Sequence, residues 1–263
     1  MQRATRTNLI LVGIAGLLGL AVFWQVGTET ARFEPPLSTL DPARVERVAV
    51  NCHACTVRRF ERRDGQWQML EPYALPADDA MVERLIDIAA SPVRLRRPLH
   101  ELEPKKIGLD PPLMQLVLDD ESFDIGVTDA LRGDRYVRSG DVVAMLPDRF
   151  SPFLTATAES ELDRHLVPRG AMLERVSIDG EEVPGVLADW SAVVATHIRA
   201  GNAEPAPAGT LVELGLDNGS VLTYRIDRRT DTPIAWRTQP DLGFELDPAV
   251  LDRLLGEHRG PTP

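Results

Sequence analysis

Two cysteines, Cys52 and Cys55, are the residues of this 263-residue chain whose spacing points most directly to chemistry. They stand in Asn51-Cys52-His53-Ala54-Cys55-Thr56, and four chemistries use such spacing. Haem attachment requires a histidine directly after the second cysteine, and position 56 is threonine. A structural zinc site needs four ligands, yet no second cysteine pair exists. His53, His100, His165, His197 and His258 are scattered singly, so no metal is assigned. A thiol–disulfide exchange site lies where a strand runs into a helix, whose N-terminus lowers the first thiol's pKa. Here the following stretch, TVRRFERR, alternates like a strand and has no apolar helical face. The preferred reading is a structural disulfide closing a hairpin turn in an oxidising compartment, with redox activity of Cys52 and Cys55 as the alternative.

Other chemistry-bearing residues read more plainly. Asp119, Asp120, Glu121 and Asp124 lack the alternating oxygen ligands, central glycine and twelfth-position glutamate of a calcium loop, and read as a solvated turn. Gly-x-Ser-x-Gly, His-Glu-x-x-His, Walker and dinucleotide-binding glycine patterns are absent from the sequence. The 40 acidic residues contain no pair that spacing marks for hydrolysis. His197 falls on the apolar face of an expected helix and reads as a packed core residue. Arg58, Arg59, Arg62 and Arg63 read as a solvated strand face, as do Arg94, Arg96 and Arg97. No catalytic residue and no cofactor is assigned, and the chain reads as non-enzymatic.

Charge and hydropathy place the chain. It carries 29 basic and 40 acidic residues, a formal charge of −11. Such an acidic body repels phosphate backbones, which argues against nucleic acid as a partner. Leu9 to Val26 is a run of 18 residues without a charge, about 27 Å long as a helix and close to a bilayer's hydrocarbon thickness. No small-residue cleavage pattern follows it, and Phe23-Trp24-Gln25-Val26 marks the exit. Arg3 and Arg6 precede the run; Glu29, Arg32 and Glu34 follow. The positive-inside rule then predicts a cytoplasmic tail over 1–8, an uncleaved anchor over 9–26 and residues 27–263 on the far side of the inner membrane.

The exported part reads as α+β. Residues 27–42 hold three prolines and no periodic pattern, and read as an extended stalk. Asp64-Gly65, Ser139-Gly140, Asp179-Gly180 and Asn218-Gly219 mark hairpin turns between alternating strands. Asp78 or Asp79 caps a helix to about Ala90, with Met81, Val82, Leu85, Ile86 and Ala89 on one face. Leu187, Trp190, Val193, Val194, His197 and Ile198 share helical spacing, and further short helices are expected near Pro147 and Pro248.

A faint repeat runs through these elements. ARVERVAV at 43–50 matches AMLERVSI at 171–178, and LVLDDES at 116–122 matches LGLDNGS at 214–220. Tyr136-Val137-Arg138 then matches Ala235-Trp236-Arg237, and the helix near Pro147 matches the one near Pro248. The order predicts two related strand-rich modules, 43–168 and a shortened 169–258, before a frayed tail at 259–263.

The same elements resemble a known family. They are an N-terminal span, a Val-Glu-Arg-Val strand, Asp64-Gly65-Gln66-Trp67-Gln68-Met69-Leu70-Glu71-Pro72, an acid-capped helix, Gly108-Leu109-Asp110-Pro111-Pro112 and Arg135-Tyr136-Val137-Arg138. Together they resemble a widespread bacterial membrane-anchored family of unknown function, often encoded beside gliding-motility-type ABC transporters. The resemblance covers most of residues 1–175 and implies a single-pass, periplasmic accessory protein that works with a transporter or another envelope protein. It assigns no catalytic residue, and the Cys52/Cys55 pair departs from the family's pattern.

Overall fold

Alternating apolar residues separated by aspartate- and glycine-led turns build most of this chain into strands. The computed structural model describes residues 13–22, 34–53, 55–201, 209–229 and 231–256. In chain order the elements begin with α1 (13–22), β1 (Glu34–Pro36), β2 (Arg47–Cys52), β3 (Arg58–Arg63), β4 (Gln66–Glu71) and β5 (Leu75–Pro76). Next come α2 (Asp79–Ile86), β6 (Pro92–Val93), β7 (Leu95–Pro98), β8 (Met114–Leu118), β9 (Glu121–Thr128), β10 (Asp134–Ser139), β11 (Val142–Pro147) and α3 (Ser151–Leu154). The remainder are β12 (Leu173–Ile178), β13 (Glu181–Glu182), α4 (Leu187–Ala192), β14 (His197–Ala200), β15 (Thr210–Leu216), β16 (Val221–Asp227), β17 (Ile234–Thr238), β18 (Asp241–Glu245) and α5 (Pro248–Leu254). Strands dominate and helices are few and short, so the class is α+β.

The chain divides into two units, both discontinuous. One comprises Met1–Pro42, Asp87–Leu113 and Ser122–Arg149. Within it β9, β10, β11 and β7 are successive antiparallel neighbours. Val137, Val143, Leu146, Phe123 and Ile125 are buried there. The expected stalk enters this unit through its described part: β1 pairs antiparallel with β6, and Arg96 donates to the carbonyls of Pro35 and Pro36 at 3.0 and 2.7 Å. Proline lacks a donor but keeps its acceptor and an extended φ, so the Pro35-Pro36 pair suits an edge strand rather than only a spacer.

The other unit comprises Ala43–Ile86, Met114–Glu121 and Phe150–Pro263. Strands β5, β4, β3, β2 and β8 are neighbours in that order, and α2 turns Val82, Leu85 and Ile86 inward. Asp78 caps the helix, its Oδ1 accepting from the Ala80 N–H at 3.0 Å. Asp79 accepts from the Trp67 N–H at 2.9 Å and from Arg169 at 3.0 Å, which ties helix, strand and the start of the second predicted module together. A seven-stranded sheet follows, in the order β13-β12-β15-β16-β17-β18-β14. Its buried rows include Val212 and Leu214 on β15, and Leu222, Tyr224 and Ile226 on β16.

The pairings repeat. Strand β2 pairs with β8 as β12 pairs with β15; β9–β10–β11–β7 matches β16–β17–β18–β14 in order and direction. The turn aspartates match as well. Asp119 takes the Arg47 N–H at 2.8 Å while its own N–H donates to the Arg47 carbonyl at 2.9 Å. Asp217 does the same with Met172, at 3.2 and 2.9 Å.

Several expectations need correction or fall outside the described residues. The helix expected to run on from Leu187 ends at Ala192, because Val193 turns extended and the β-branched Val194, Thr196 and Ile198 favour the strand β14. The helix expected near Pro147 starts at Ser151, and Pro147 closes β11. Residues 13–22 of the expected anchor are helical; 9–12 and 23–26, with 1–8, 27–33 and 257–263, lie outside the described residues. Among the described residues no helix is long and apolar enough to cross a membrane.

Candidate functional site

Strand β2 carries Cys52 to its end, opposite Met114 of β8, and Cys55 lies three residues on in the turn before β3. The two sulfurs are bonded, with Cα atoms 5.6 Å apart, and no free cysteine remains. Cys52 is half-buried, whereas His53 and Cys55 are exposed. The chain after Cys55 enters the strand β3 rather than a helix, so the pair does not sit at the strand-to-helix junction of a thiol–disulfide exchange site. Bonded in this way, the pair holds no thiolate for metal binding; it is a covalent clip on a hairpin turn, open to an external thiol.

So short a loop restricts the unfolded chain little. Cys52→Ser with Cys55→Ser is expected to lower the unfolding free energy by at most about 2 kcal/mol. Urea denaturation of the double variant against the oxidised parent checks this, and a loss above about 4 kcal/mol would contradict a merely local clip.

The other candidates do not converge. Asp119 has φ of 49° and binds the backbone N–H groups of Glu46 and Arg47, while Asp124 is buried against Arg138. Among the described residues no group of three His, Cys, Asp or Glu could hold a metal. His165 contacts the Asp163 carboxylate at 2.6 Å, and His100 is exposed. His197 is a correction: it sits on β14 opposite Glu245 and is exposed, not packed in a core.

Arg58 is a second correction. Instead of lying on a solvated face it is 1 % exposed, bonded to the Glu161 carboxylate and to the carbonyls of Phe153 and Leu154. Glu161 is fully buried. Burial pushes its carboxyl up to about 7, against the downward pull of the Arg58 guanidinium. Among the described residues, Arg58 Nε and Glu161 Oε2 have no hydrogen-bond partner. The period of two held the signal for Arg58, since it shares the inward face of β3 with Phe60. Nothing local in Ala158-Glu159-Ser160-Glu161 marks its partner.

Fold and site together define a strand-dominated α+β protein carrying a turn-closing disulfide. Comparison of the chain with family models, with curated proteins and with solved structures finds no match.

Proposed function

We propose that this chain is a non-enzymatic, single-span protein of the bacterial inner membrane, with residues 27–263 in the periplasm as an interaction body for a partner, most specifically an ABC transporter. The observation that carries the anchor is the run from Leu9 to Val26, flanked by Arg3 and Arg6 on one side and acids on the other. Within it, α1 leaves every side chain exposed, Leu17 at 71 % and Leu20 at 69 %. A bilayer would cover that apolar surface. The transporter reading rests on the family resemblance of residues 1–175. We also propose that the body is a duplicated module, supported by the sequence repeat, the matching strand pairings and the paired turn aspartates Asp119 and Asp217.

Co-purification tests the partner. The full-length tagged chain, extracted in mild detergent, is expected to bring down transporter subunits in stoichiometric amounts. Recovery of a partnerless protein would count against the accessory role.

The exposed Cys55 supports a second reading, a membrane-tethered thiol–disulfide protein. That reading requires a reduction potential well above the roughly −300 mV below which structural disulfides lie. A potential below that value would leave Cys52–Cys55 as a structural clip.

A further inference from the structure

One face of β10, β11 and β7 forms a hollow of about 280 Å³. The register places Tyr136, Met145 and Leu95 across one rung, and Val143 beside Arg97 on a rung further along. These apolar groups make the floor; Leu102 and the loop that carries Asp129 and Arg132 complete the walls. The loop is held in shape from within. Its Gly133 N–H donates to the Asp129 carbonyl at 2.9 Å, and the Asp129 carboxylate takes the Arg132 N–H at 3.0 Å.

The charges at this hollow differ from those elsewhere in the same unit. Arg94 faces Asp134, Arg135 holds Asp148, Arg138 holds Asp124 and Arg96 holds two carbonyls. The guanidinium groups of Arg97 and Arg132 have no such partner among the described residues, and neither has the Tyr136 hydroxyl. Against the single Asp129 carboxylate in the same walls, these two guanidinium groups leave the hollow net positive in a chain of formal charge −11. A guanidinium binds a carboxylate through paired, charge-assisted hydrogen bonds, and a half-enclosed apolar floor strengthens the attraction.

We propose that this hollow binds a small apolar monocarboxylate, its tail on Leu95, Val143 and Met145 and its carboxylate on Arg97 and Arg132. The volume lies just under the roughly 300 Å³ at which small-molecule sites begin, so the tail is short. A medium-chain fatty acid and the carboxy-terminal residue of an apolar peptide share this chemistry. The site is independent of the anchor and transporter readings.

The full-length chain in lipid nanodiscs would be titrated calorimetrically with octanoate and octanamide, and with acetyl-Ala-Leu and its carboxamide. The Arg97→Gln/Arg132→Gln variant supplies the background for partition into lipid. At least one carboxylate is expected to bind at least about tenfold more tightly than its amide, with the difference lost in the double variant. Preference for octanoate would identify an acyl chain, and preference for the peptide a chain terminus. Met145→Trp, which fills the floor and keeps both arginines, is expected to block binding as well. Equal binding of acid and amide, absence of binding, or binding untouched by these substitutions would overturn the proposal.

Discussion

Arg58→Ala is expected to lower the unfolding free energy by about 3–5 kcal/mol at pH 8, and by distinctly less at pH 5. At pH 8 the buried Glu161 carboxyl is ionised, and removing the guanidinium strands that charge together with the carbonyls of Phe153 and Leu154. At pH 5 the carboxyl is neutral, since burial holds its pKa near 7, and only the carbonyl contacts and packing are lost. Glu161 in the parent also makes stability depend on pH. Between its unfolded value near 4.5 and its folded value near 7, the folded state keeps a proton that the unfolded chain has released. The stabilisation is complete below about 4.5, declines as pH rises through the folded value, and is on the order of 3 kcal/mol in all. Glu161→Gln keeps the shape without the titration. Urea midpoints at pH 5, 6, 7 and 8 for the parent and the two variants should show a pH slope in the parent that Glu161→Gln lacks. An Arg58→Ala loss of equal size at every pH would refute this description of the pair.

Trp190→Ala is expected to cost a comparable amount, about 3–5 kcal/mol. Trp190 is fully buried on α4, and its Nε1–H donates to the Leu254 carbonyl at 2.8 Å, closing the end of α5. Its ring stacks on Tyr224, with centroids 6.5 Å apart, and Tyr224 in turn meets the ring of Phe244 edge-on. The Tyr224 hydroxyl donates to the Leu166 carbonyl at 2.7 Å. Alanine would open a cavity under α4 and free the last carbonyl of α5 at once. Trp190→Phe keeps a ring and loses the hydrogen bond, for an expected cost of about 1–2 kcal/mol plus a smaller packing deficit. Thermal and urea unfolding separate the two variants. A Trp190→Ala loss under about 1 kcal/mol would mean that this aromatic cluster does not hold the seven-stranded sheet and its helices together.

Local patterns in the chain were enough for the strands and their turns, because alternation and turn chemistry are short-range signals. Asp64-Gly65, Asp179-Gly180 and Asn218-Gly219 each sit between the strands expected on either side, with the glycine at positive φ. The helix from Asp79 was legible for the same reason, although it stops at Ile86 rather than near Ala90. Its cap and apolar face lie within ten residues. Long-range effects account for what was missed. The apolar spacing from Leu187 to Ile198 fits a helix, yet pairing with β18 draws residues from His197 onward into a strand and leaves His197 in solvent. Arg58 looked like one cation among several, but its partner lies 103 residues away. The hollow beside Arg97 and Arg132 is assembled from three strands and two connecting segments, so no window of sequence contains it.

Protease accessibility in spheroplasts tests the proposed topology most directly. The full-length chain would carry a different tag at each end, and protease would be added from outside. The anchored reading predicts loss of the C-terminal tag and body, with a short N-terminal fragment retained in the membrane. Survival of the C-terminal tag until the cells are lysed would place residues 27–263 on the inner side and contradict it.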